Sequence, residues 1–251
     1  MRVMVVSHSM VHVRQLRFFQ ELAELDCDVM CVGPDEWGEQ HTPTLNAGRF
    51  SARGLSAIGP EVLNPYRFRL AGLTDLIDTW LPTHIYVQQE PGSSLLAQVA
   101  AYRSETDAKL ICFTWENMYF KGALEDGLAA CDLIVCGNDA AAALVSAYGV
   151  PTSILPQVGV DVDHFAARQV RRDTHVMYIG RPVIEKGLGV LGAAWPSAVV
   201  LPWTPYSKLP WFMSRASIVV CPSIDTESWE EQAMPYLAAE AIACGAHVIA
   251  S

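Results

Sequence analysis

Arg181 and Lys186 lie five residues apart within Tyr178–Gly187, YIGRPVIEKG. The apolar run before them reads as a strand ending in Gly180-Arg181, and Lys186-Gly187 opens a helix. Two cations on one such loop can flank a diphosphate. An arginine grips a phosphate bidentately, and a lysine acts as a compact point charge. A strand that delivers a loop and then a helix N-terminus is a recurrent way to hold a phosphate. The plainer alternative is two solvated cations beside Glu185.

A second segment, Trp229–Ser251, is WEEQAMPYLAAEAIACGAHVIAS: an acidic loop, a small-residue helix, Cys-Gly and a strand. Proline is tolerated at the first helical position and not in the interior. That predicts a helix start at Pro235, with Glu230, Glu231, Gln232, Ala233 and Met234 in the loop before it. Such a loop can present a carboxylate, and the helix start offers its N–H groups to a phosphate. Glu240 falls within the helix. The alternatives are a solvated acidic loop at Glu230 and Glu231 and a solvated helix face at Glu240.

In the first half, polar groups cluster at two strand ends, Gln88-Gln89-Glu90-Pro91 and Thr114-Trp115-Glu116-Asn117. Open parallel sheets bind ligands beyond the carboxyl ends of their strands. Glu90, Glu116 and Asn117 are therefore candidates for contact with a second substrate. His8, Ser9 and Arg14 follow the first strand and could reach the same surface. Against this stand a satisfied buried histidine at His8 and an Asn-capped helix start with a satisfied Glu116.

Other chemistries are disfavoured. Gly187–Gly192, GLGVLG, matches G-x-G-x-x-G. A dinucleotide fingerprint needs its glycines at the turn directly after the strand, and an acidic residue about 20 residues further on. Here the glycines fall inside a helix, so NAD binding is not expected. The seven cysteines contain no CxxC pair and lie mostly in apolar runs, as reduced core residues of a cytoplasmic protein. His8 and His12 have i,i+4 spacing without a third ligand nearby, so no metal site is expected. A net charge of −10 argues against a nucleic-acid surface while leaving room for a local basic pocket. The opening MRVMVVSHSM suits a first strand better than a signal peptide. No apolar run approaches the ~18–20 residues of a membrane span.

The elements that position these residues follow from hydrophobic period. Val3–Val6, Asp28–Val32, Ile85–Gln88, Leu110–Phe113, Leu133–Cys136 and Ser153–Leu155 read as strands. His12–Leu25, Phe68–Trp80, Ser93–Tyr102, Leu124–Ala130 and Asn138–Tyr148 read as helices, the last capped by Asn138. Residues 34–65, rich in Gly, Pro, Asn and Thr, read as one long connection. Pro156–Thr174 has no apolar period but holds three arginines and three aspartates, and reads as a link. A second series follows, with strands at Val176–Ile179, Ala198–Leu201, Ser217–Cys221 and His247–Ala250 and helices at Leu188–Ala194, Lys208–Arg215 and Pro235–Cys244. The alternation predicts α/β architecture with parallel sheets. The expected domains are 1–156 and 175–251, with a linker over 157–174.

Taken in order, these segments resemble the retaining glycosyltransferases of family 4. MRVMVVSH with its Arg-bearing helix, CDLIVCGNDAAAALVSAYGV, ILPQVGVDVDHF, LPWFMSRASIVVCPS and the two segments above all carry the likeness, most strongly over 131–187 and 206–251. The resemblance implies the GT-B fold, two Rossmann-like parallel-sheet domains facing a cleft, the first for the acceptor and the second for a nucleotide diphosphate sugar. It implies that Gly180, Arg181 and Lys186 hold the donor diphosphate and that Glu240 binds the nucleotide ribose. In the family another Glu precedes that one with seven residues between, near the donor sugar. The position here is Gln232, and Glu231 stands beside it, so either Gln232 replaces that carboxylate or Glu231 is shifted into its role. Ala233 and Met234 complete the donor loop. Many family members carry a His near Glu116 and Asn117; this chain does not. The family also has a further βα unit where Ala194–Pro202 stands, and continues past the strand that ends at Ser251, so a shortened or truncated, incomplete donor domain is expected.

The implied reaction is same-face sugar transfer without metal or cofactor, with Arg181, Lys186 and the Pro235 helix start stabilising the leaving diphosphate, which assists deprotonation of the acceptor. Glu231 and Glu116 are the carboxylates expected nearest the transferred sugar. The acceptor class implied is a glycan, lipid or small molecule, with peripheral membrane contact compatible. Two alternatives remain open: a non-catalytic or fragmentary GT-B protein that binds a nucleotide or a partner, and an epimerase or phosphorylase on the same fold.

Overall fold

The structure, a computed structural model, describes residues 1–118, 125–156, 159–201, 204–227 and 235–251. The chain divides into two compact units, Met1–Pro156 and Gln157–Ser251.

Unit 1 runs β1 (Arg2–Val6), α1 (Val13–Ala23), β2 (Asp28–Pro34), β3 (Leu45–Ala47), β4 (Phe50–Leu55), β5 (Ala57–Ile58), β6 (Arg69–Leu70), α2 (Leu73–Trp80), β7 (His84–Gln88), α3 (Ser94–Ala101), β8 (Lys109–Thr114), α4 (Glu125–Ala129), β9 (Leu133–Cys136), α5 (Asp139–Val145) and β10 (Thr152–Ile154). Its main sheet has the order β10-β9-β8-β7-β1-β2-β4-β3. All neighbours are parallel except the β3–β4 hairpin. Strand β1 shows why the sheet is interior. Met4 and Val6 enter one apolar cluster while Val3 and Val5 enter another on the opposite face. A strand covered on both faces reads as a continuous apolar run, which is the signature of a parallel sheet.

Three expectations for this unit need correction. Residues 34–65 are not one loop, because β4 pairs in parallel with β2 and β3 folds back on β4. Only Phe50 and Ala52 of β4 are buried, against Val29 and Cys31 among others, too few to give a legible alternation. The helix expected over Phe68–Trp80 begins at Leu73. Before it, Leu70 is held extended by Gln98, whose amide accepts from Leu70 N–H at 3.0 Å and donates to its carbonyl at 2.8 Å. The helix expected to run to Tyr148 ends at Val145 and gives way to a single 3-10 turn, Ser146–Tyr148, while Asn138 caps it as expected, accepting from Ala141 N–H at 2.7 Å.

Unit 2 contains β11 (Thr174–Ile179), α6 (Leu188–Ala194), β12 (Val199–Leu201), α7 (Leu209–Arg215), β13 (Ala216–Cys221), α8 (Tyr236–Ala243) and β14 (His247–Ala250). Its sheet is fully parallel, in the order β12-β11-β13-β14. Along β11, Met177 and Ile179 face one cluster, and Val176 and Tyr178 the other. Pro235 does not open α8 as its first residue. It sits at the cap with φ −58° and ψ 138°, an extended setting, and the helix begins at Tyr236.

The stretch before β11 is packed onto this unit. Phe165 is fully buried with Met177, Ile179, Leu209 and Met213. Arg172 donates to the carbonyls of Ala216 and Gly245. Phe165→Ala is expected to cost about 3–5 kcal/mol by leaving a cavity, whereas Val162→Ala, at a residue 66% exposed, should be nearly neutral; thermal melts of the two variants check this. All seven cysteines are buried free thiols. Among the described residues, no helix is long and apolar enough to cross a membrane.

Candidate functional site

In unit 2 the chain goes from β11 outward to β12, then returns to the other side of β11 for β13. Where strand order reverses, the loops leaving the two central strands diverge and open a crevice at their carboxyl ends. The loop that leaves β11 there is Gly180–Gly187. Its first residue is tied to β12 by Gly180 N–H to the Leu201 carbonyl, 3.0 Å. The buried Tyr178 hydroxyl donates to the Arg181 carbonyl at 2.8 Å, fixing the start of the loop. A single 3-10 turn, Ile184–Lys186, follows.

The far end of the loop is pinned to the loop leaving β13. Ile224 N–H donates to the Glu185 carbonyl at 3.0 Å. Gly187 has φ +64°, and a Cβ there would lie 1.6 Å from the Pro222 carbonyl oxygen. Only glycine fits so close an approach in that conformation. The end of β14 joins the same cluster, since the Ser251 hydroxyl donates to the Ser223 carbonyl at 2.5 Å. The two expected cations therefore sit on a backbone built into three strand ends. Arg181 is exposed and Lys186 half-buried.

Glu240 is 1% exposed within α8, which excludes the solvated helix face. Burying a carboxyl group costs free energy that a purely surface residue would not incur. Glu231, Gln232, Ala233 and Met234, with Glu230, lie outside the described residues. Gly189 and Gly192 fall within α6, as the argument against a dinucleotide fingerprint requires.

Unit 1 has its own reversal point between β1 and β7, the central strands from which the chain moves to β2 on one side and β8 on the other. His8, Gln89 and Glu90 follow these two strands directly. Gln89 is buried, and its amide nitrogen donates to the Pro65 carbonyl at 2.7 Å. A carbonyl can only accept, so the Gln89 oxygen must face the other way, 2.9 Å from His8 Nδ1. The proton is then on Nδ1, and Nε2 keeps the lone pair. Burial lowers the His8 pKa and so favours the neutral ring, an effect this hydrogen bond partly opposes. Trp37 and Phe68 pack against the imidazole at centroid distances of 5.2 and 6.3 Å. Ser9 turns inward, its hydroxyl 2.9 Å from that of Ser7.

Glu90 gathers the turn after β8. Its carboxylate accepts from the Thr114 hydroxyl at 2.5 Å, Trp115 N–H at 3.3 Å and Glu116 N–H at 3.1 Å. Burial raises its pKa, an effect that these donors offset only in part. Glu116 is half-buried, and burial followed by the nearby Glu90 pushes its pKa up to about 7. Tyr66 faces both carboxyls, which together with burial raise its pKa. The structure thus brings Glu90 and Glu116 together, and joins His8 to the same strand ends through Gln89. Arg14 lies in the first turn of α1, and Asn117 directly follows Glu116.

Tyr66 and Gln89 were not singled out from the sequence. Tyr66 falls in the short gap between the connection read over 34–65 and the helix read over Phe68–Trp80, and only its place between Pro65 and a buried Phe68 sets it apart. Gln89 was passed over beside an acidic neighbour, because an amide's bridging role shows only once its partners are known.

No protein-family model matches the chain, and no curated protein matches it in sequence. Solved structures do. A sucrose-phosphate synthase from Thermosynechococcus elongatus superimposes with a TM-score of 0.70 at 13% identity, over 99% of this chain and 80% of that one. An alpha-glucosyltransferase in complex with UDP and a 13-mer DNA containing a HMU base gives 0.70 at 12% identity, over 100% and 79%. Anabaena HepE in complex with UDP-glucose gives 0.65 at 12% identity, over 100% and 80%. At such identities the likeness speaks for the fold, and the fold is the α/β GT-B fold of glycosyltransferases.

Proposed function

We propose that the chain is a glycosyltransferase of the family 4 type, which moves a sugar from a nucleotide diphosphate sugar to an acceptor hydroxyl with retention and without a metal or organic cofactor. The observation that carries this reading is the Gly180–Gly187 loop, which builds Arg181 and Lys186 into the reversal point of unit 2. In the proposed reaction the acceptor oxygen bonds to the anomeric carbon as the carbon–diphosphate bond breaks. The acceptor proton passes to an oxygen of the leaving diphosphate, whose charge Arg181 and Lys186 stabilise. Glu240 and the loop with Glu231, Gln232, Ala233 and Met234 belong to the donor side. His8, Ser9, Arg14, Glu90, Glu116 and Asn117 belong to the acceptor side. The acceptor is a glycan, lipid or small molecule, and the buried free thiols suit a cytoplasmic setting.

The test is incubation of the purified chain with a panel of UDP-, GDP- and ADP-sugars and hydroxylic acceptors in the presence of EDTA, with product stereochemistry read by NMR. An α-linked product from an α-linked donor is expected. Glu240→Gln should raise KM for the donor about tenfold, the equivalent of one hydrogen bond to a charged group. Inverted product, or a requirement for divalent metal, contradicts the proposal. Nucleotide binding with no transfer to any acceptor would favour a non-catalytic role.

A further inference from the structure

We propose that Glu90 is the charged, positioning member of a carboxyl pair on unit 1, and that its partner Glu116 carries a proton and meets the acceptor as a hydrogen-bond donor. The proposal rests on the acceptor-side reading above.

The hydrogen bonds assign the two roles. Glu90 Oε1 accepts from Trp115 N–H, and Oε2 accepts from Glu116 N–H and the Thr114 hydroxyl. Backbone N–H groups can only donate. The Thr114 oxygen itself accepts from Glu116 N–H at 2.9 Å, which leaves its own proton for Glu90. Three donors converging on one carboxyl group favour its ionised form. Glu116 has the opposite surroundings. Its Oε1 is buried without a hydrogen-bond partner among the described residues. A buried oxygen without a donor is costly when charged, and a second negative charge beside Glu90 adds to that cost. A proton on Glu116 relieves both.

Among the described residues, the other titratable groups that face the pair are neutral. Tyr66, from the loop before β6, faces both carboxyls, and burial with their charge keeps it a phenol. Cys112 on β8 and Cys136 on β9 face Glu90. The Cys112 thiol is pushed up by its hydrogen bond with Cys131 and by burial, and Cys136 by burial. The pair therefore holds one negative charge between its two members, and titrates as a unit. A protonated Glu116 offers hydrogen to a lone pair, so it selects an uncharged, hydroxyl-bearing acceptor over an ammonium.

The experiment is a carboxyl ¹³C NMR titration of the full chain with labelled glutamate, with Glu116 assigned through Glu116→Gln. Glu116 is expected to titrate near neutrality in the native protein. In Glu90→Gln, which keeps an accepting oxygen and removes the charge, its midpoint should fall by about one pH unit or more. A midpoint in the ordinary carboxylate range in the native protein, or one unmoved in folded Glu90→Gln, overturns the proposal. If Glu90→Gln does not fold, Thr114→Val replaces it: losing a donor should raise the Glu90 midpoint and lower that of Glu116, and an unmoved pair overturns the proposal. Melting gives a second readout. The folded-state value of Glu116 lies above its ordinary one, so its stabilising contribution is present at acid pH and lost as pH rises through about 7. Glu116→Gln should flatten that fall, and an unchanged slope counts against the assignment. These readings hold whether or not a sugar is transferred. The acceptor-side reading fails separately, if Glu116→Gln leaves KM for the acceptor unchanged while the titrations behave as stated.

Discussion

Gly187→Ala is expected to disrupt unit 2 and abolish nucleotide binding. Two independent effects combine at this position. The backbone is left-handed, φ +64°, which costs an L-residue about 1–2 kcal/mol. The new methyl would also fall 1.6 Å from the Pro222 carbonyl oxygen. That oxygen is main chain, so no rotamer change can make room. Either the loop leaves β13 or the strand end shifts, and overpacking of this kind costs about 1–3 kcal/mol more. The sum is large beside the marginal stability of a small unit. Gly189→Ala is the matched control. It lies two residues on, inside α6, with open space where its methyl would go. Alanine there should stabilise by about 0.5–1 kcal/mol. Paired thermal melts and nucleotide titrations check the contrast; equal behaviour of the two variants would mean the loop is not clamped to β13.

Arg181→Ala should act on chemistry and leave the fold alone. The side chain is exposed, so its removal should change stability by no more than about 0.5 kcal/mol. If it stabilises the leaving diphosphate, turnover should fall about 10²–10³-fold, the usual consequence of losing one preorganised charge stabiliser. Arg181→Lys should recover only part of the rate, since an ammonium cannot grip a phosphate bidentately. Steady-state rates and melts of the three proteins check this. Near-native turnover in folded Arg181→Ala would remove the arginine from the reaction.

Unit 2 was legible in the sequence because its strands are long apolar runs and its punctuation is strong. Val176–Ile179 and Ser217–Cys221 announce themselves, and Gly180 and Gly187 mark the loop between strand and helix. The clamp itself was not legible. That Gly187 faces Pro222 depends on two strands pairing across 42 residues of chain, which local pattern does not report. In unit 1 the strand ends carrying His8, Glu90 and Glu116 could be placed, but their coupling could not. It arises from the register of β1, β7 and β8, which sets Gln89 and Glu90 beside His8 and Thr114. Residues 34–65 defeated the period argument because β3, β4 and β5 are short and bury few side chains, so their pairing comes from neighbours already in the sheet. Pro235 was placed one position too far into its helix, since proline fixes φ and leaves ψ open to an extended cap.

On the proposed reading, the Gly180–Gly187 loop holds a nucleotide diphosphate. Isothermal titration of UDP, GDP and ADP into the native chain, Arg181→Ala and Lys186→Ala tests it most directly. Selective binding of one base by the native chain, weakened at least tenfold in each folded variant, is the expected result. Binding that both variants retain, or a folded native chain that binds none of the three, would contradict it.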